Sequence, residues 1–106
     1  MSYDLYLESD KGKSLCESTN YTSNMYEAFQ VAFSDPDGIY KLHGKTGAEA
    51  RDLIAKAVCV MLEKSEEIEK LNPVNGWGRH NRAAVWLLEF GFECASHPEG
   101  IVRLCA

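Results

Sequence analysis

The stretch Thr46-Gly-Ala-Glu-Ala-Arg-Asp-Leu-Ile-Ala-Lys-Ala-Val-Cys-Val-Met-Leu62 decides the fold class. Ala50, Leu53, Ile54, Ala57, Val58, Met61 and Leu62 recur at helical spacing over three turns, which gives the helix one apolar face. Thr46 and Glu49 stand at the spacing of a capping box, in which hydroxyl and carboxylate each take a backbone N–H that a helix start leaves without a partner. An apolar helix face must cover something, and strands stand at both ends of the sequence. Tyr3-Asp-Leu-Tyr-Leu-Glu8 alternates, with Tyr3, Leu5 and Leu7 on one side and Asp4, Tyr6 and Glu8 on the other. Ile101 to Cys105 alternates as well and reads as a closing strand. The expected fold is α+β: a single small domain over residues 1–106, about three helices packed on a short antiparallel sheet formed by the N- and C-terminal strands.

The remaining segments fill in between. Gly12 centres a turn over 9–13, and Ser14 to Ser18 is a candidate second strand of a hairpin. Residues 19–24, Thr-Asn-Tyr-Thr-Ser-Asn, read as a polar loop, with Asn24 as the N-cap of a following helix and Glu27 three residues on. Met25, Ala28, Phe29 and Ala32 share one face of that helix, and Asp35-Pro-Asp-Gly38 ends it. Ile39 to His43 reads as a short extended or turn segment. Residues 65–70 continue the central helix or start a short polar one, and Pro73 stops them. A last helix runs from about Arg79 to Ala95. Beyond its polar first turn it is apolar on most sides, the pattern of a helix central to its core.

The chain has 106 residues, 45% of them hydrophobic and 25% charged, which suits one core and leaves no room for a two-domain enzyme. The net charge is −5, and residues 1–53 hold nine acids against five bases, so the acidity sits in the first half. No run of Lys or Arg exists. A basic patch would have to be assembled in three dimensions from Lys41, Lys45, Arg79, His80 and Arg82, so binding to a nucleic-acid duplex is not expected. The four cysteines (Cys16, Cys59, Cys94 and Cys105) contain no Cys-x-x-Cys and match no zinc-site spacing. The start carries no basic and apolar leader, and no apolar run is long enough to span a membrane. The reading is a cytoplasmic protein with reduced cysteines, no metal and no cofactor.

Two groups of residues invite a ligand. Gly44-Lys45-Thr46 opens a helix as a phosphate loop does, but Gly38 stands one residue too far upstream, so the phosphate-cradling nest is not formed. A helix start beside Lys45 can still hold an anion. Asn20, Tyr21, Thr22 and Asn24 bring amides, a hydroxyl and an aromatic face, although such residues also build turns. Asn75-Gly76-Trp77-Gly78, followed by Arg79, His80 and Asn81, offers either a core-anchored Trp77 or an exposed aromatic platform. His43, His80 and His97 each lie beside a turn without convergent acids or cysteines. A Cys–His pair such as Cys16 with His80 has nothing in the sequence to single it out.

Four segments then occur in a familiar order: Met1-Ser-Tyr-Asp-Leu-Tyr-Leu7, Asn20-Tyr-Thr-Ser-Asn-Met25, Leu42-His-Gly-Lys-Thr-Gly-Ala-Glu-Ala50 and Asn72-Pro-Val-Asn-Gly-Trp-Gly78. Together they span nearly the whole chain. In this the chain resembles a family of small proteins encoded by bacteriophages and by bacteria carrying prophages. The family's recurring residues fall here on Asn20, Tyr21, Thr22, Asn24, Gly44, Thr46, Gly47, Asn75, Gly76, Trp77 and Gly78. The family has no established activity, so the resemblance implies a phage–host setting and no mechanism.

Three functions are therefore weighed. The first is a binding module that sequesters a small anionic ligand such as a nucleotide. Its pocket would be built where Asn20, Tyr21, Thr22 and Asn24 meet Lys45, Thr46, Asn75, Trp77, Arg79, His80 and Asn81. The second is an acidic protein–protein inhibitor of a host defence enzyme, and a homodimer is also open. An enzyme comes last, because no nucleophile–base pair or metal set is visible.

Overall fold

The computed structural model describes residues 2–22, 25–71 and 80–105, with Thr22 and His80 described by their backbone alone. Strand β1 (Ser2–Glu8) is followed by β2 (Thr19–Thr22), α1 (Tyr26–Ala32), a 3-10 turn (Gly38–Leu42), α2 (Gly47–Glu63), α3 (Ser65–Glu69), α4 (His80–Ser96) and β3 (Ile101–Cys105). The sheet order is β2-β1-β3, and both pairings are antiparallel. The expected α+β fold is the observed one, with a third strand added to the two end strands.

Alternation decides which side of the sheet is covered. Tyr3, Leu5 and Leu7 of β1 and Val102 and Leu104 of β3 are buried under the helices. Asp4, Tyr6 and Glu8 turn to the other side. Phe29, Ile54, Ile68, Leu87 and Phe90 complete the core, each burial being worth about 1.5–3 kcal/mol. The outer edge of β3 is closed by residues 43–46. Gly44 N–H donates to the Val102 carbonyl at 2.9 Å, Val102 N–H to the Lys45 carbonyl at 2.8 Å, and Leu104 N–H to His43 Nδ1 at 3.0 Å.

Several local expectations are corrected. Thr19–Thr22 is a strand, not part of a loop. Its polar side chains are compatible with an edge strand whose backbone pairs with β1 from Ser2 to Leu5. The candidate strand at 14–18 reduces to a single bridge between Glu8 and Ser14. Of the extended and turn readings of Ile39 to His43, the turn holds, as a 3-10 turn over Gly38–Leu42. The Asn24 cap lies outside the described residues, and the cap position of α1 is Met25, which makes no side-chain cap bond. Leu62 is exposed, and α4 is apolar on a face that meets solvent. The capping box at Thr46 and Glu49 is present as expected.

Tyr3 carries the one buried side-chain polar atom without a partner among the described residues, its hydroxyl. Phe29 and Tyr40 pack edge-on against its ring. Burial, with smaller contributions from Tyr40 and Tyr26, pushes its pKa up to about 12. A folded-state value above the ordinary 10 holds full stability below pH 10 and loses it as pH rises from 10 towards 12. Tyr3→Phe is expected to remove that alkaline loss. At neutral pH it should keep stability or raise it by about 1 kcal/mol, because an unsatisfied hydroxyl leaves the core. Urea unfolding at pH 7, 10 and 11.5 checks both parts.

Candidate functional site

Asn20 and Tyr21 are neighbours on a strand, so they serve opposite faces of the sheet. Asn20 pairs in register with Asp4, and its Nδ2 donates to Ser2 Oγ at 2.8 Å and Asp4 Oδ1 at 2.7 Å. Tyr21 pairs with Tyr3 on the helix side. There it stacks on Trp86 of α4, ring centroids 5.2 Å apart. Trp86 Nε1 donates to Thr19 Oγ1 at 2.8 Å, so α4 holds β2 through one aromatic ring. Thr22 falls in register with Ser2.

Lys45 and Thr46 lie at the far edge, beyond β3. Three strand spacings separate that edge from β2, about 14 Å in all. The start of α2 is also closed. Gly47 N–H donates to the Gly100 carbonyl at 2.7 Å and Ala48 N–H to the Pro98 carbonyl at 3.0 Å. Glu49 N–H donates to Thr46 Oγ1 at 3.2 Å, and Thr46 N–H returns to Glu49 Oε1 at 3.1 Å. The amides that would grip an anion are already used. The Glu49 carboxyl is held below its ordinary pKa, first by the Thr46 backbone bond, then by the Thr46 hydroxyl and the Lys45 charge.

Asn81 and Arg82 are exposed at the start of α4, and Asn81 Oδ1 accepts from Arg82 N–H at 2.9 Å. Gly47 packs on the carbonyls of Cys94 and His97 at the other end of α4. Lys45 and Thr46 are therefore some 20 Å along the helix from Arg82, at about 1.5 Å per residue. Asn24, Asn75, Trp77 and Arg79 lie outside the described residues, as does the side chain of His80. Among the rest, Tyr21 is brought beside α4, whereas Asn20 and the pair Lys45–Thr46 are not. A single pocket from all three segments is not formed by the described residues. Asn20 is bonded to Ser2 and Asp4, and the Thr46 and Asn81 side chains accept from backbone N–H groups.

Two of the thiols, Cys16 and Cys94, are poor nucleophiles. Burial pushes Cys94 up to about 12 and also raises Cys16, so both stay protonated at neutral pH. All four cysteines are free. Among the described residues no group of three His, Cys, Asp or Glu side chains gathers as a metal site would need, and no helix is long and apolar enough to cross a membrane. A groove of about 690 Å³ lies between Ser9–Asp10 and residues 96–100.

Sequence reasoning missed the bare side of the sheet as a surface. Asp4, Tyr6 and Glu8 stand in a row along β1, with Asn20 on one side and Arg103 on the other. Arg103 Nε reaches Glu8 Oε2 at 2.6 Å. The signal was available in the alternation of β1, which separates these side chains from Tyr3, Leu5 and Leu7. Its meaning depended on the described helices lying on one side. Comparison with known proteins brings no relative: no family model matches the chain, no curated protein is significantly similar, and no solved structure significantly matches the fold.

Proposed function

We propose that this protein is a small acidic binding module that acts by docking on another protein, with the bare face of the sheet as its contact surface. The observation that supports this is a three-stranded sheet whose described helices pack on one side, so that half-buried Asp4, Tyr6 and Glu8 turn together to the other. An aromatic flanked by carboxylates suits a basic surface: the acids steer the encounter and the ring supplies contact area. In the phage setting that the resemblance implies, the partner is a host enzyme of the cytosol, inhibited by being covered. The raised pKa values of Cys16 and Cys94 favour docking over thiol chemistry at those two residues.

The experiment is affinity capture at low salt from a bacterial host lysate, identification of the captured protein, and calorimetry on the purified pair. Binding is expected to weaken by about tenfold, equivalent to about 1.4 kcal/mol, in the double variant Asp4→Lys, Tyr6→Ala. It should also fall as salt rises. Unchanged affinity in that variant, with the fold intact by circular dichroism, would sink the proposal. A second reading, sequestration of a small anion such as a nucleotide, is favoured by exposed Arg82, one helical turn before the Trp86 that stacks on Tyr21. A melting shift with a nucleotide, lost in Arg82→Ala, would support it instead.

A further inference from the structure

Four large apolar side chains stand in solvent on the helical layer, away from the sheet face discussed above. On α4 they are Val85 (55% exposed), Leu88 (46%) and Phe92 (67%), at spacing i, i+3, i+7. On α2 it is Leu62 (71%). Ala55 and Cys59, also exposed, precede Leu62 at i, i+4, i+7. Each helix thus carries two apolar faces, one in the core and one outside it.

The two outer stripes adjoin. Ile54 lies against Gly91, within 3.3 Å of where a Cβ would stand, and Gly47 lies against Cys94 and His97, so α2 and α4 run antiparallel. Measured from the residues that meet at the seam, Ile54 on α2 and Gly91 on α4, the outer stripe sits about 100° around on both helices, in the same rotational sense. In an antiparallel pair that sense brings both stripes to the solvent side of the seam. The stripe on α4 is large (Val85, Leu88, Phe92), and most of the stripe on α2 is small (Ala55, Cys59).

We propose that this face joins a second copy of the chain in a two-fold symmetric dimer. A two-fold axis along the seam lays α4 of one copy over α2 of the other, so that large side chains meet small ones twice. Charges agree with the same placement. Continuing from the level of Ile54 and Gly91, Lys56 stands level with Glu89, and Glu63 with Arg82. These four lie on the outer flanks of the two helices, all are exposed, and none has an ion pair among the described residues. The axis brings Lys56 opposite the partner's Glu89 and Glu63 opposite the partner's Arg82. The four exposed side chains present on the order of 400 Å² of apolar surface, as large as the biggest patch of a typical monomer. Two such faces at the about 65% apolar share of homodimer contacts correspond to about 1,200 Å², the lower bound for a stable interface.

Light scattering and sedimentation of the full chain over a concentration series test this. The expected species is twice the 11.9 kDa chain mass. Leu88→Asp and Phe92→Asp should each yield a monomer with an unchanged circular dichroism spectrum, since both side chains are already in solvent. Lys56→Glu should weaken the dimer about tenfold, and adding Glu89→Lys should restore it. A monomer at every concentration, a dimer that survives Leu88→Asp and Phe92→Asp, or failure of the charge swap to restore association would each overturn the proposal. So would a monomer that uses this face for a foreign protein, with binding lost in Phe92→Asp.

Discussion

Gly47→Ala is expected to cost about 3 kcal/mol and to lower the urea midpoint sharply. A Cβ on residue 47 would stand 2.2 Å from the His97 carbonyl oxygen and 2.7 Å from that of Cys94. Both neighbours are backbone, so neither can swing aside. The same residue donates its N–H to the Gly100 carbonyl at 2.7 Å, and Ala48 donates to Pro98. Pushing residues 97–100 away would break these two bonds and disturb β3, whose first residue bridges to Thr46. Gly91→Ala is the useful comparison. Its added Cβ would meet only the Ile54 side chain at 3.3 Å, which can shift by a few tenths of an ångström. A Gly47→Ala cost no greater than that of Gly91→Ala would refute the argument.

Trp86→Ala is expected to cost about 3–5 kcal/mol, a large part of the about 5–15 kcal/mol that holds a domain of this kind. Trp86 is nearly buried and stacks on Tyr21. It also packs against Phe29, with ring centroids 6.2 Å apart. Trp86→Phe keeps an aromatic ring and loses the bond to Thr19, so its cost should be smaller, with about 1 kcal/mol from the hydrogen bond itself. Thr19→Val in the Trp86→Phe background should add little, since the partner is already gone. Chemical unfolding of the four chains closes that cycle, and additive losses would show that the bond does not couple the two residues. Hydrogen exchange in Trp86→Ala should rise first in Thr19–Thr22, because the ring is what ties that strand to α4.

What was legible in the sequence was local. The alternation of Tyr3 to Glu8 and of Ile101 to Cys105, and the Thr46–Glu49 box, each declare themselves within a few residues, and each is found as read. Strand β2 was not legible, because Thr-Asn-Tyr-Thr is polar enough for a loop. What makes it a strand is pairing with β1 and a hydrogen bond to a residue 67 positions away. The same distance problem hid the state of the α2 start. Its amides look available until Pro98 and Gly100 arrive from the far end of the sequence. On α4, hydrophobicity announced a buried helix but could not say that Val85, Leu88 and Phe92 turn away from the core. Among the described members of the candidate site, the nearness of Tyr21 to α4 is what carried over. Strand alternation turned Asn20 away, and the width of the sheet put Lys45 and Thr46 at the other edge.

The first strand occupies the middle of the sheet, and its two neighbours are Thr19–Thr22 and Ile101–Cys105. During synthesis β1 emerges before both neighbours and gains one soon after, but its other side waits for more than ninety residues. Through that interval Tyr3, Leu5 and Leu7 sit on a half-built sheet with an open row of backbone donors and acceptors, the kind of edge that recruits other chains. Closing so long a loop is slow relative to forming the helices. The helices between β1 and β3 therefore have time to form while the central strand is still unfinished. The step that completes the domain is the arrival of five residues at the end of the described fold.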